Sequence, residues 1–223
     1  MDKKAKRLQW NPKNYWLGFY GTPSSNGQWG WQFGGHHLGI NMAIENGVVS
    51  SLSPTFVGTE PATFEYKGRR YEPVRDMHKA GLDLLHTLSA SQQLSAELFE
   101  GFRDIITGPG EDGFIPDLQG TRVADFSPEQ KTMLLNTIRQ WVDIQPDENA
   151  TLRMVELTAE LDDMYFAWYG EKDGTGDNYF RIQGPTLIIE MLSQADSVGA
   201  STQGLGHYHT IYRNVTNEYG GQK

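Results

Sequence analysis

The order of the patterned segments constrains this chain most: strand-like stretches occupy both ends of its 223 residues, and helix-like stretches fill the middle. Tyr15 to Tyr20 and Trp29 to Phe33 are aromatic-rich runs separated by the turn-forming stretch Gly21 to Gly27, which is how strands and their connections are composed. From about His36 to Ile44, the apolar Leu38, Ile40, Met42 and Ile44 alternate with Gly39, Asn41, Ala43 and Glu45. That period of two predicts a half-buried strand. Asn46-Gly47 then supplies a two-residue hairpin turn before Val48 to Leu52. Pro54 to Gly58 extends this unit, and Tyr66 to Tyr71 reads as a small excursion hairpin at the edge.

The central section, residues 75–162, is helical in pattern. Met77, Leu82, Leu85 and Leu88 share one face of a helix starting near Arg75, and Ser91 is placed to cap a second helix running to about Ile106. Gly108 to Gly113 breaks the pattern. Ser127-Pro128-Glu129-Gln130 combines a capping hydroxyl, a proline at the first helical position and an amide three residues on, which together mark a helix start. A fourth helix is expected from about Asp147 to Leu161.

Strands return at Met164 to Tyr169, Tyr179 to Gln183, Thr186 to Leu192 and about Gly206 to Arg213, with a polar tip at Glu171 to Asp177 and a Gly184-Pro185 turn. Strands, then helices, then strands predict an α+β fold: an antiparallel sheet built from both ends of the chain, with the helical section packed on it. No internal repeat or low-complexity linker divides the chain, so one domain over residues 1–223 is expected, preceded by a basic lead-in at residues 1–14.

A net charge of −9 with scattered Lys and Arg repels a phosphate backbone, which argues against nucleic acid as a partner. No segment is apolar for long enough to span a membrane. The opening Lys3, Lys4, Lys6 and Arg7 run into Gln9-Trp10-Asn11-Pro12 with no apolar stretch behind them, so no signal peptide is visible. As numbered the chain reads as cytoplasmic; an exported origin stays open if a leader was removed. With no cysteine, any transition metal must be held by imidazole and carboxylate.

Four of the six histidines lie in two close pairs, His36-His37 and His207-Tyr208-His209. On a strand His207 and His209 project to the same side, roughly 7 Å apart, so they can share one ion. His36 and His37 fall on opposite sides of a regular strand, but Gly34-Gly35 permits a bulge that would turn both inward. His36, His37, His207 and His209 are therefore the candidate ligands, and such a donor set suits a divalent transition metal such as Zn, Cu, Ni or Fe over Mg or Ca. Glu190 is a carboxylate inside the apolar run Leu187 to Leu192 and is a candidate extra ligand or general base, because a buried charge is costly unless paired. Arg181 and Arg213 are candidates for holding an anionic substrate group or neutralising Glu190, and Asn41 for orienting a ligand or bound water. His78 and His86 sit on a predicted helix and read as structural. Trp29 and Trp31 share a strand face, where core packing is the default and stacking on a ring-shaped ligand the alternative.

Trp29 to Leu38, Pro54 to Pro61, Tyr179 to Pro185 and His207 to Arg213 resemble the bacterial family catalogued as domain of unknown function 3500, with the His-His and His-x-His blocks in order and the Gly-Pro turn between them. The resemblance spans nearly the whole chain and implies no reaction. Members often carry a further helical segment before the first strand and some are exported, so by this resemblance the chain looks like a shortened version, with one face to be covered by a partner or a missing segment. The function expected from the residues is a histidine-ligated metalloenzyme acting on a small molecule by hydrolysis or oxidation. The alternatives are a non-catalytic metal- or ligand-binding protein and a sheet-based interaction module.

Overall fold

A computed structural model describes residues 13–195 and 206–222. The basic lead-in expected over residues 1–14 falls, through residue 12, outside the described residues. Five strands open the fold: β1 (Trp16–Tyr20), β2 (Gln28–Gly35), β3 (Leu38–Glu45), β4 (Val48–Ser51) and β5 (Thr55–Thr59). The small hairpin β6 (Phe64–Tyr66) and β7 (Arg69–Tyr71) follows. The middle holds α1 (Arg75–Thr87), α2 (Ala90–Ala96), the short β8 (Thr121–Arg122), α3 (Pro128–Val142) and α4 (Asp147–Ala159). Then come β9 (Tyr165–Gly170), β10 (Asn178–Gln183), β11 (Leu187–Gln194), β12 (His207–Asn214), β13 (Asn217–Glu218) and β14 (Gly221–Gln222).

The main sheet has ten strands in the order β1-β2-β3-β5-β12-β11-β10-β9-β8, with β4 attached to β3. Every paired strand is antiparallel. The predicted α+β architecture is thus present, and the join between the two ends of the chain is the β5–β12 pair, where His209 lies opposite Gly58 and Ile211 opposite Phe56. No helix among the described residues is long and apolar enough to cross a membrane.

The two faces of the central strands are covered differently, and the alternation of side chains decides which residue goes where. One face carries Phe166, Trp168, Phe180, Ile182, Ile189, Met191 and Tyr212, which join Leu84, Leu85, Leu134, Ile138, Trp141 and Leu157 of the helices in the larger core cluster. The capping boxes at Ser89/Gln92 and Ser127/Gln130 fix the starts of α2 and α3 by satisfying backbone donors at both ends of the box. The opposite face carries Tyr179, Glu190, Leu192, His207, His209, Ile211 and Arg213 and is covered by the irregular segment between α2 and β8. Ile105, Leu98 and Phe102 of that segment pack with Phe56, Tyr179, Leu192 and Ile211.

Two local expectations are corrected. The second helix is capped by Ser89, two residues before the expected Ser91, and it stops at Ala96 without reaching Ile106. Leu98, Phe102 and Ile105 have helical spacing, but the backbone here turns to the sheet, with Leu98 N–H donating to Trp168 C=O at 2.7 Å. The period reports where three side chains land on the sheet. Likewise, the strand expected from His36 begins at Leu38, and His36-His37 form the two-residue tip of the β2–β3 hairpin, with Gly35 paired to Leu38 in regular register. There is no bulge at Gly34-Gly35. A side chain at Gly35 would collide with the Tyr15 ring, its Cβ only 2.5 Å away, so that glycine serves close packing.

Candidate metal centre

β12 presents His207 and His209 on the loop-covered face of the sheet, two residues apart as strand alternation requires. The β2–β3 hairpin tip delivers His37 from the other end of the chain, and Gly58 N–H donates to His37 C=O at 2.8 Å to tie that tip to β5. Gly58 also makes the approach sterically feasible. A Cβ there would lie 2.7 Å from Cδ2 of both His37 and His209, closer than real carbon contacts, so the two rings meet over a residue without a side chain.

The result is a group of three ligand-capable nitrogens, from His37, His207 and His209, all within 4.8 Å of one another. His207 Nε2 is 3.3 Å from His37 Nε2 and 3.1 Å from His209 Nε2. Metal–imidazole bonds of 2.0–2.1 Å in a tetrahedral shell imply nitrogen separations of about 3.3 Å. The three imidazoles could hold a metal ion.

The other ring nitrogens decide how that centre is charged. His209 Nδ1 lies 2.7 Å from Asp104 Oδ1; an ionised carboxylate only accepts, so Nδ1 carries the proton and Nε2 bears a lone pair. His207 Nδ1 is 2.8 Å from Gln194 Oε1, and the amide nitrogen of Gln194 donates to Arg103 C=O at 3.5 Å, which turns the amide oxygen toward the ring. His207 Nε2 is therefore also bare. Two lone pairs 3.1 Å apart repel each other, and a shared cation removes the repulsion.

Protons are poor candidates for that cation at neutral pH. Burial first, then the charges of His36, His209 and His207, push His37 down to about 3. Burial and the neighbouring His209 lower His207 to about 4. Burial would raise the Asp104 carboxyl, but its hydrogen bond from His209, the charge of that ring and the Ile105 N–H hold it below its ordinary value. Neutral imidazoles oriented by a carboxylate are the form that binds metal.

Residues 3–221 match the family described as Protein of unknown function (DUF3500). The chain belongs to that family. No curated protein and no solved structure matches it. The family description carries no reaction, so the chemistry of this DUF3500 chain has to come from its own residues.

The remaining sequence candidates lie apart from the three imidazoles. His36 is exposed on the hairpin tip, its ring centroid 4.0 Å from that of His37 and outside the converging group. Glu190 is fully buried, and its carboxylate accepts from Ile106 N–H at 2.6 Å, from Thr107 N–H at 3.0 Å and from the Thr107 hydroxyl. Burial raises its pKa, against the pull of Thr107, Ile106 and Arg181. In this DUF3500 chain Glu190 thus clamps the loop that carries Asp104. Arg181 sits opposite Glu190 across β10 and β11, and its Nη2 donates to Asp117 C=O and Gln119 Oε1. Arg213 is closed by Glu218, at 2.5 and 3.0 Å, and by Phe114 C=O at 2.8 Å. Asn41 donates to Pro54 C=O at 2.7 Å, away from the imidazoles.

Of the two helix histidines, buried His78 contacts Asn178 Oδ1 at 2.7 Å and stacks on Tyr208, while His86 meets Lys172 C=O at 2.6 Å. Sequence reasoning missed Asp104, Gln194 and Gly58. No spacing marks Asp104 or Gln194 as histidine partners, because the loop path and the β11–β12 register bring them there. Gly58 carried a weak signal as a glycine inside a strand otherwise made of β-branched and aromatic residues, which often marks close approach by another group.

Proposed function

We propose that this protein holds one divalent transition metal ion on His37, His207 and His209, and uses it for hydrolytic chemistry on a small molecule. The observation that carries the reading is the pair of Nδ1 contacts to Asp104 and Gln194, which leaves bare Nε2 atoms 3.1 Å apart. Among the described residues the ligand group has three members, and three protein ligands are the number found in catalytic zinc sites, whereas structural sites use four. A metal held by His37, His207 and His209 would supply Lewis-acid activation of water near neutral pH. Asp104 fixes the orientation of His209 and strengthens it as a donor, the task of a carboxylate behind a histidine ligand.

Elemental analysis of the purified protein tests the metal. The expected result is about one zinc-like ion per chain, lost in His207→Ala/His209→Ala and kept in His36→Ala. Equal metal content in the double variant and the parent would overturn the reading. Cobalt substitution tests the open position: azide or thiocyanate changes the visible spectrum if an exchangeable site exists. A spectrum indifferent to both anions would favour a closed, non-catalytic metal site.

A further inference from the structure

On the histidine-bearing side of the sheet, beyond Gly39, a second feature lies outside the metal reading. A cleft of about 620 Å³ runs over β2 and β3, and a smaller cavity of about 150 Å³ adjoins it, sharing Gln32, Asn41, Asp112 and Tyr219. Strand alternation puts Tyr20, Gln32, Asn41 and Ala43 on the face that lines the cleft, since Tyr20 pairs with Gly30, Gln32 with Asn41, and Gly30 with Ala43. Tyr219 closes the other side, its hydroxyl donating to Asp112 Oδ1 at 2.6 Å. Gly220 is in contact with the floor, where an added Cβ would lie 2.4 Å from Ala43 Cβ.

Asn41 supplies the deciding detail. It is 7% exposed, and its Nδ2 is used by Pro54 C=O. Its Oδ1 is buried and meets no donor among the described residues. A buried acceptor is unfavourable without a partner, and this one belongs to a residue shared by both cavities.

We infer that this cleft binds a neutral, ring-shaped molecule rich in hydroxyl groups, a sugar of one or two rings, with Asn41 Oδ1 and the Asp112 carboxylate accepting from its hydroxyls. The chemistry of the lining selects that class. The unpartnered buried atom at the cleft, Asn41 Oδ1, is an acceptor, which a hydroxyl donor satisfies. No lysine or arginine lines the larger cleft among the described residues. The one cation lining the smaller cavity among the described residues, Arg213, is already paired with Glu218, and the chain carries a net charge of −9. An anionic ligand therefore finds no counter-charge. Tyr20 and Tyr219, 62% and 49% exposed, offer aromatic rings at the two sides for the C–H faces of a sugar. A volume of 620 Å³ lies within the 300–1,000 Å³ range of small-molecule sites.

The inference does not rest on the metal, and the test keeps the two apart. Saturation-transfer NMR with cellobiose, maltose and lactose is run on the parent, on His207→Ala/His209→Ala, and on Asn41→Leu, Asp112→Ala and Tyr20→Ala. Expected is saturation transfer from at least one disaccharide to the parent and the double-histidine variant alike, with affinity about ten-fold weaker in Asn41→Leu and Asp112→Ala. Asp112 and Tyr20 are exposed, so their variants keep the parent melting temperature and remain informative if Asn41→Leu fails to fold. Absence of transfer from all three sugars, or equal affinity in Asp112→Ala and Tyr20→Ala, overturns the inference. So does preferential binding of phenethylamine, which would assign the cleft to cations.

Discussion

Asp104 Oδ1 lies 2.7 Å from Nδ1 of His209, so a loop residue sets the tautomer of a strand residue 105 positions away. The same loop is fastened two residues further on, where Glu190 accepts from Ile106 and Thr107. A buried carboxylate, a loop and an imidazole are thus mechanically in series.

Asp104→Asn replaces an acceptor by a group that presents either an oxygen or an NH₂ to the ring. Loss of the carboxylate behind a histidine ligand typically weakens metal affinity 10–100-fold, and that range is the expected result in competition with a chromophoric chelator. The Asp104 side chain is 59% exposed, so the melting temperature of the metal-free protein is expected to stay near the parent value.

Glu190→Gln leaves the loop with an amide where three donors converge on a carboxylate. At least one buried donor loses its acceptor, at a cost of about 1–3 kcal/mol in urea unfolding. Metal affinity should fall as well, although Glu190 is outside the ligand group. Unchanged affinity in a folded Glu190→Gln protein would show that the clamp does not position Asp104.

Gly58→Ala tests the steric cradle. The added methyl would sit 2.7 Å from Cδ2 of both His37 and His209, so the rings must part. Overpacking of this kind costs typically about 1–3 kcal/mol, and metal affinity is expected to drop at least ten-fold. Crystallography of the variant would show the displaced rings.

The acid response of the metal-free protein follows from the two depressed histidines. Unfolded, His37 and His207 take up protons near the ordinary value of 6.5; folded, they wait until about 3 and about 4. Below pH 6.5 the unfolded chain therefore binds more protons than the folded one, and stability falls with pH. Their contribution is fully retained above pH 6.5 and is lost progressively as pH falls through about 4 for His207 and about 3 for His37. Urea midpoints at pH 7, 6 and 5 should decline more steeply in the parent than in His37→Gln/His207→Gln, and equal slopes would refute the assignment.

Residues that act through their own local pattern were legible beforehand. The alternation of Leu38, Ile40, Met42 and Ile44, the Asn46-Gly47 turn and the Ser127-Pro128-Glu129-Gln130 helix start all correspond to elements of the fold. The shared face of His207 and His209 follows from a period of two alone. The helix expected to run to about Ile106 ends at Ala96, because Leu98, Phe102 and Ile105 beyond it space like a helix but pack on the sheet.

What the amino-acid order determined by itself is the succession of strands and helices and the two histidine blocks, because hydrophobic period, caps and turn residues act over a few neighbours. Only the tertiary structure decided which imidazoles meet, that Glu190 holds a loop, and that Asp104 and Gln194 stand behind the rings. Those relationships depend on the pairing of β5 with β12 and on the course of the segment between α2 and β8, contacts between residues far apart in sequence that no local period encodes.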